Sequence, residues 1–185
     1  MESPLREKFK SETVKKLQAV SSLKNILALP RLEKGIIQIG VGKMIIQNPE
    51  AKERILEEAQ YALSQLTGQK AIVVKAKKSV AGFKLREEQP VAVLVTLRKN
   101  YLYDFVDRLT TYVLPRLREF KGLDAKSFDK KGNINLGFRE LSIFPEAISD
   151  KIKVNFGLQI TLVATAKNFS DKLKLWEALG FPVKI

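Results

Sequence analysis

The chain has 185 residues, of which 45% are hydrophobic, and this length and composition predict a buried core in one compact domain. Lys and Arg number 33 against 20 Asp and Glu, so the formal net charge is +13, which favours polyanionic partners such as nucleic acid or an anionic membrane. The sequence has no cysteine and no histidine, which excludes disulfides, thiol catalysis, Ser-His-Asp triads and histidine-ligated metals.

Helix and strand signals alternate in the N-terminal part of the chain. Residues 3–19 predict an amphipathic helix with apolar positions at Leu5, Phe9, Val14 and Leu17. The segment GIIQIGVG (35–42) predicts a strand that closes in a glycine turn. A helix follows, with Asn48 able to cap it, Pro49 at its first position and Gly68 after its last.

Apolar residues on this helix recur at helical spacing, at Ile55, Leu56, Ala59, Ala62, Leu63 and Leu66. Such a stripe predicts a face that packs against the rest of the protein. Glu57 and Glu58 fall on a polar face, where we expect solvated side chains rather than catalytic ones.

Two β-branched runs of strand length, AIVVKA (71–76) and VAVLVTLR (91–98), predict a hairpin. The segment that joins them, KAKKSVAGFKLRE (75–87), is its basic tip. The cations Lys75, Lys77, Lys78, Lys84 and Arg86 there surround the small residues Ser79, Ala81 and Gly82.

The C-terminal part begins with a helix over about 101–113, which Pro115 kinks or ends. A loop that contains several Gly and Lys residues follows at 121–138, and then a strand at 158–166. A short helix capped by Ser170 closes the chain.

From the strand at 35–42 onward, the elements follow a β-α-β-β-α-β succession. This order favours an α+β fold, an antiparallel β-sheet with helices packed on one face. No repeat or long linker divides the chain, so residues 1–185 are interpreted as a single domain with an exposed tip at 75–87. The N-terminus alternates charges, and no apolar run approaches the roughly 18 residues that span a bilayer, so we expect a cytoplasmic protein with no membrane partner.

Alternation along the strands separates polar from apolar side chains. One face of the 91–98 strand receives Val91, Val93, Val95 and Leu97, whereas the other receives Ala92, Leu94, Thr96 and Arg98. In the strand IIQI (36–39) the polar member is Gln38, and in the strand 158–166 the residues Gln159, Thr161 and Thr165 share one face. Uncharged donors and acceptors beside an arginine suit the ribose 2′-hydroxyls and phosphates of folded RNA. A solvated face of an ordinary antiparallel sheet has the same pattern, so both interpretations stay open.

The basic tip also has two interpretations, a solubilising loop or an RNA contact. Its positive charges favour a polyanion that neutralises them, and its small residues let backbone amides approach a phosphate or ribose closely. Phe83 adds a surface on which a base can stack, although an aromatic residue beside a hairpin often packs against its own domain.

Two incomplete glycine motifs bear on an enzymatic alternative. Gly40 and Gly42 begin a dinucleotide-binding pattern, but Ile45 stands where the third glycine belongs. Gly35 and Gly40 have the spacing of a phosphate loop, but Val41 replaces its lysine. These departures count against a nucleotide-using enzyme.

A general single-strand RNA-binding module would carry stacking aromatic residues on its sheet, and these strands have none.

A co-linear series of blocks covers nearly the whole chain. The blocks are PRLEKGIIQIGVG (30–42), LTGQKAIVVKAKKSVAGFKLRE (66–87), VTLR (95–98), a block between 107 and 123, KSFDKKGNINLGFRE (126–140) and IFPE (143–146). Together they resemble the ribosomal protein five family of the bacterial large subunit, the universal 5S-rRNA-binding family.

The resemblance implies a concave antiparallel sheet backed by helices, with no catalysis, cofactor or metal. It implies that the chain docks 5S rRNA onto the large subunit in the central protuberance, touches the P-site tRNA and takes part in a bridge to a protein of the small-subunit head. Neighbouring partners would be 23S-type rRNA and other large-subunit proteins.

Carried over by position, the implied 5S rRNA contacts are Gln38, Gln69, Thr96 and Arg98. The implied tRNA contacts fall on the tip, at Lys75, Lys77, Lys78, Ser79, Ala81, Gly82, Phe83 and Lys84. Such a tip would follow the tRNA phosphate backbone without reading its bases.

Two departures from the family pattern affect these roles. Gln38 stands where relatives carry Asn, and its longer side chain is expected to shift or weaken that hydrogen bond. After IFPE, relatives continue with an aromatic residue before the Asp and with Arg-Gly-Met before the last strand. This chain has AISD (147–150) and NFGL (155–158) instead, which affects the bridge to the small subunit.

Overall fold

The computed structural model describes residues 4–20, 25–117, 120, 122–166 and 168–184. Residue 3, where the first helix was predicted to begin, lies outside them. Contacts divide the chain into two compact units. The first unit contains the described residues of Met1–Gly35, Leu97–Leu136 and Thr161–Ile185, and the second contains Ile36–Thr96 and Gly137–Ile160.

The strands are β1 (Arg31–Gly40), β2 (Ile72–Lys75), β3 (Pro90–Leu97), β4 (Ile134–Phe138) and β5 (Leu158–Thr165). They form a 5-stranded antiparallel sheet in the order β2-β3-β1-β5-β4. Among the described residues, the α-helices are α1 (Pro4–Lys8), α2 (Val14–Val20), α3 (Gly42–Gln47), α4 (Lys52–Thr67), α5 (Lys99–Arg108) and α6 (Phe169–Ala178). The predicted α+β class is therefore confirmed.

Short π and 3-10 segments complete the predicted helices. A π-helical stretch at Phe9–Thr13 joins α1 to α2, so the predicted N-terminal helix is one helical run. Helix α5 continues through a π stretch at Leu109–Val113 and ends in a 3-10 turn at Leu114–Arg116. This turn contains Pro115, in agreement with the predicted helix end.

Several predicted boundaries are wrong. Strand β1 begins at Arg31 and ends at Gly40, and a helix, α3, follows it instead of an open glycine turn. The predicted loop at 121–138 contains β4. The alternation of buried and accessible residues in this strand was not recognised in the sequence because Gly and Lys residues surround it. Helix α6 has Asn168 at its N-cap position rather than Ser170.

The start of α4 also differs from its prediction. Pro49–Ala51 forms a 3-10 turn before α4, and the Asn48 side chain makes no capping hydrogen bond. Gly68 ends α4 as predicted, since its φ of 67° is the left-handed conformation that glycine adopts without strain.

The apolar stripe of α4 is confirmed. Its residues are buried in the second unit, except Leu56, which is half-buried. Glu57 is exposed as predicted. Glu58 is only 8% exposed, so the prediction of a solvated side chain is wrong for this residue.

Long-range partners explain the burial of Glu58. Its Oε1 accepts a hydrogen bond from Arg54 Nε at 2.8 Å, and its Oε2 accepts the backbone N–H groups of Lys153 at 3.0 Å and Val154 at 3.1 Å. Burial by itself would raise the pKa of Glu58, but these hydrogen bonds outweigh it and the pKa is lowered. Glu58 thus stays ionised and fastens the 153–154 backbone to α4.

In the first unit, the side chains of α5 and β5 pack closely against β1 at Gly35. A Cβ atom there would lie 2.8 Å from Leu102 Cδ1 and 3.3 Å from Leu162 Cδ2. Both leucines are fully buried. A side chain at position 35 would therefore require these leucine side chains to move.

A buried polar cluster joins the segment before β4 to α6 in the same unit. Asn133 Oδ1 accepts a hydrogen bond from Lys172 Nζ at 3.0 Å, and Asn133 Nδ2 donates to Asp129 Oδ2 at 2.8 Å. Trp176 Nε1 donates to the Gly132 carbonyl at 2.9 Å. Lys172 is 5% exposed and Trp176 is fully buried, so the bonds of these two residues lie inside the protein, whereas Asp129 is half-buried.

Candidate RNA interface

Strand β3 separates two faces as predicted, except that Val91 is only half-buried. Val93, Val95 and Leu97 are buried, whereas Thr96 on the other face is half-buried. Arg98 follows the strand with an extended backbone, at φ −143° and ψ 162°, and is exposed. Because alternation continues through extended residues, the Thr96 and Arg98 side chains point to the same side of the chain.

Gln38 lies on β1, the neighbour of β3 in the sheet, between the buried Ile37 and Ile39. Its Nε2 donates a hydrogen bond to Oε1 of Gln159 on β5, with a distance of 2.7 Å. The predicted polar face therefore carries a linked pair of amides. Alternation placed each residue on a polar face, but it could not link them because the register of two strands distant in sequence is not a local property.

Gln69 does not lie on a strand. It follows Gly68 at the end of α4 and is half-buried. Its backbone N–H donates to Thr67 Oγ1 at 3.4 Å, while the Thr67 hydroxyl donates to the Leu63 carbonyl at 2.6 Å. In the second unit, Gln38 and Thr96 thus lie on neighbouring strands, and Gln69 lies on the connection that follows α4.

The predicted hairpin is confirmed, because β2 and β3 pair antiparallel. Pairing continues beyond the strands, where Ala76 N–H donates to the Gln89 carbonyl at 2.8 Å and Val80 N–H donates to the Leu85 carbonyl at 2.9 Å. A 3-10 turn at Ala81–Phe83 closes the tip. The tip therefore has a defined backbone structure rather than being an open loop.

The exposed positive charge of the tip is concentrated near its end. Lys77, Lys78, Lys84 and Arg86 are exposed, and no carboxylate of the described residues pairs with them. Lys75 differs, because its Nζ lies 2.8 Å from Glu88 Oε2. Both members of this ion pair are exposed, so it contributes little to stability.

Phe83 lies in the turn and is 77% exposed. The alternative that this aromatic residue packs against its own domain is therefore wrong. Lys84, the next residue, adopts a left-handed conformation with φ of 51°. An exposed ring can stack on a base, and the unpaired cations beside it can bind a phosphate backbone.

Gly40 and Gly42 lie at a strand-to-helix junction, where a dinucleotide fingerprint would also lie, but Ile45 stands in place of its third glycine. Gly40 is the last residue of β1 and Gly42 the first of α3, with only Val41 between them.

Within the described ranges, no helix is long and apolar enough to cross a membrane. Nor does any cluster of three or more Asp or Glu side chains in that part of the chain offer a metal site.

Comparisons with known proteins cover both halves of the chain. The family described as Ribosomal protein L5 matches residues 25–86, and the family described as ribosomal L5P family C-terminus matches residues 90–183. The large ribosomal subunit protein uL5 of Trichlorobacter lovleyi is 44% identical over 97% of this chain and 98% of its own length.

Two further relatives agree. The large ribosomal subunit protein uL5 of Geobacter sulfurreducens is 43% identical over 97% of this chain and 98% of its own. The large ribosomal subunit protein uL5c of Cyanophora paradoxa is 44% identical over 96% of both chains. The resemblance inferred from the sequence blocks is thereby confirmed, and the chain belongs to the ribosomal protein L5 family.

Proposed function

We propose that the chain is a structural protein of the large ribosomal subunit that binds 5S rRNA and attaches it in the central protuberance. The family is one of ribosomal proteins and not of enzymes. The observation that carries the 5S rRNA proposal is the polar face of β1 and β3, on which Gln38 and Thr96 remain accessible while the alternate residues are buried.

Binding proceeds by electrostatic attraction and then by hydrogen bonding fitted to RNA shape. The net charge of +13 attracts the polyanion and releases its counterions. Arg98 anchors a phosphate through its guanidinium fork. Thr96, Gln38 and Gln69 contact ribose or backbone atoms, for which neutral donors and acceptors are suited.

Replacing Arg98 with alanine should weaken 5S rRNA binding by about 1–3 kcal/mol, because a charge-assisted hydrogen bond is lost. The affinity should be measured at physiological salt for 5S rRNA and for a scrambled structured RNA of equal length. The matched control is Arg116→Ala, which removes the same charge from an exposed arginine outside the candidate interface. Unchanged affinity in Arg98→Ala would show that this face is not the contact, and an equal loss in Arg116→Ala would show that only net charge matters.

The hairpin tip is proposed to contact the backbone of the P-site tRNA. The exposed cations Lys77, Lys78 and Lys84 support this role, and so do the small residues Ala81 and Gly82, which allow a close approach of the backbone. Lys75 is already paired with Glu88, so its contribution is expected to be smaller.

The double replacement Lys77→Ala and Lys78→Ala should leave the affinity for free 5S rRNA nearly unchanged. On ribosomes assembled with this variant, tRNA should dissociate faster from the P site, because up to two phosphate contacts are lost. Each lost contact should reduce the slope of log affinity against log salt concentration by about one. The control is Lys15→Ala with Lys16→Ala, an equally adjacent pair of exposed lysines on α2. A large loss of 5S rRNA affinity in the tip variant would contradict the proposed division of roles.

A third contact, with a protein of the small-subunit head, is assigned to the segment around 147–155. Ile148 in this segment is 70% exposed, so a partner can reach it. The segment is fastened to α4 by the hydrogen bonds of Glu58, and Lys151 Nζ lies 5.2 Å from the ring centroid of Tyr61. These links would present Ile148 on an ordered backbone despite the altered sequence.

A further inference from the structure

We infer that Gln38 and Gln159 act together as one recognition site for a ribose 2′-hydroxyl. This inference rests on the proposed RNA-binding function and deepens it, because it adds Gln159 as a contact and names the chemical group that is read. Both residues lie in the second unit, on the adjacent strands β1 and β5.

The shared hydrogen bond determines what each amide still offers. Gln38 Nε2 donates to Gln159 Oε1 at 2.7 Å. This leaves the Gln38 Oε1 acceptor and the Gln159 Nε2 donor side by side. Within the described part of the chain, no other group bonds to either of these two atoms. Gln159 is exposed and Gln38 is half-buried, so a ligand can reach both.

A ribose 2′-hydroxyl matches this arrangement because it both donates and accepts a hydrogen bond. It would donate to Gln38 Oε1 and accept from Gln159 Nε2. A phosphate oxygen offers only acceptors, so it would leave the Gln38 oxygen unsatisfied. A deoxyribose offers neither partner. The pair therefore distinguishes RNA from DNA at one position.

The length of the Gln38 side chain allows its amide to reach Gln159 and form this hydrogen bond. An asparagine at this position would be shorter by one carbon–carbon bond, about 1.5 Å, which would take its amide out of hydrogen-bond range of Gln159. Gln38→Asn would therefore separate the two amides.

The test uses 5S rRNA in which 2′-deoxynucleotides are incorporated at random. RNA that binds is separated from RNA that does not, and positions where deoxy substitution weakens binding are mapped. For the unsubstituted protein, we expect such positions, and at one of them the effect should disappear in both Gln38→Met and Gln159→Met. Methionine keeps the side-chain length and removes the hydrogen bonds, and Gln65→Met on the exposed face of α4 is the matched control.

Affinities give a second readout. Gln159→Met should bind 5S rRNA about three- to tenfold more weakly, the effect of one lost hydrogen bond, and the double variant with Gln38→Met should lose little more. Gln38→Asn should behave like Gln159→Met. Thermal stability should not change in these variants, because both side chains are accessible to solvent.

Each outcome has a distinct meaning. If the unsubstituted protein prefers 5S rRNA over scrambled RNA, but Gln159→Met keeps the same deoxy interference pattern and affinity, the inference is wrong and the proposed function stands. Additive losses in the double variant would also overturn it, because they indicate two independent contacts. If the unsubstituted protein shows no preference for 5S rRNA, the proposed function fails and the inference fails with it.

Discussion

Replacing Trp176 with alanine should lower the free energy of unfolding by about 3–5 kcal/mol, the range for deletion of a large buried aromatic side chain. Trp176 is fully buried, and its ring packs edge-to-face on Phe181 with 5.7 Å between centroids. Its Nε1 donates to the Gly132 carbonyl at 2.9 Å. Alanine would leave a cavity and an unsatisfied carbonyl at the turn that precedes β4.

Trp176→Phe separates these two losses. Phenylalanine fills part of the volume but has no donor for the Gly132 carbonyl, so we expect a smaller loss of about 1–3 kcal/mol. Both values are measured by urea unfolding, with the slope of the transition used to check that the two states remain comparable. A loss below about 1 kcal/mol in Trp176→Ala would show that this residue is not part of the core.

Replacing Asn133 with alanine should lower the free energy of unfolding by about 2–3 kcal/mol, because a buried ammonium loses its acceptor. Asn133 Oδ1 lies 3.0 Å from Lys172 Nζ, and Lys172 is 5% exposed. Asn133 Nδ2 also donates to Asp129 Oδ2 at 2.8 Å. Asp129 would remain near Lys172 and limit the loss through its charge.

Lys172→Met provides the control. In the double variant with Asn133→Ala, much of the loss should be recovered, since no buried charge is left without a partner. If the double variant is as unstable as Asn133→Ala alone, the loss comes from the turn at Asp129 and not from Lys172. Urea unfolding of the four proteins gives the coupling free energy directly.

The same lysine makes stability depend on pH. Burial lowers the pKa of Lys172, and the charges of Asp129 and Glu33 offset only part of this shift. The folded chain therefore holds this proton less tightly than the unfolded chain, so the cost of the buried charge is present in full below the lowered pKa. It is relieved as the pH rises from that pKa towards the ordinary value of 10.5. The unsubstituted protein should gain stability relative to Lys172→Met over this alkaline interval.

Much of the fold could be predicted from local patterns. The stripe on α4 recurs with the helical period, and the runs on both sides of the tip alternate with the strand period. Each pattern depends on neighbours within a few residues, so it can be read without knowledge of the tertiary structure. The blocks that carry the family resemblance are equally a property of the sequence, and they led to the same family as the comparisons.

The errors arose where a distant segment supplies the partner. Glu58 occupies a polar position on α4, but the backbone of residues 153–154 reaches it and buries its carboxylate. Strand β4 is short and rich in polar neighbours, and it pairs in the sheet beside β5. Neither outcome follows from local propensity, because each depends on which segments meet after folding.

The candidate RNA interface likewise has features that local sequence patterns predict and contacts that form only on folding. We could predict the family, the net positive charge, the basic tip and the two faces of β3, because composition, motifs and alternation follow directly from the order of residues. Folding brings Gln38 against Gln159, pairs Glu88 with Lys75 and leaves the Phe83 ring exposed, and no local pattern predicts these contacts. The reason is that hydrogen bonds and burial depend on strand register and chain reversal, which bring together atoms that the sequence keeps apart.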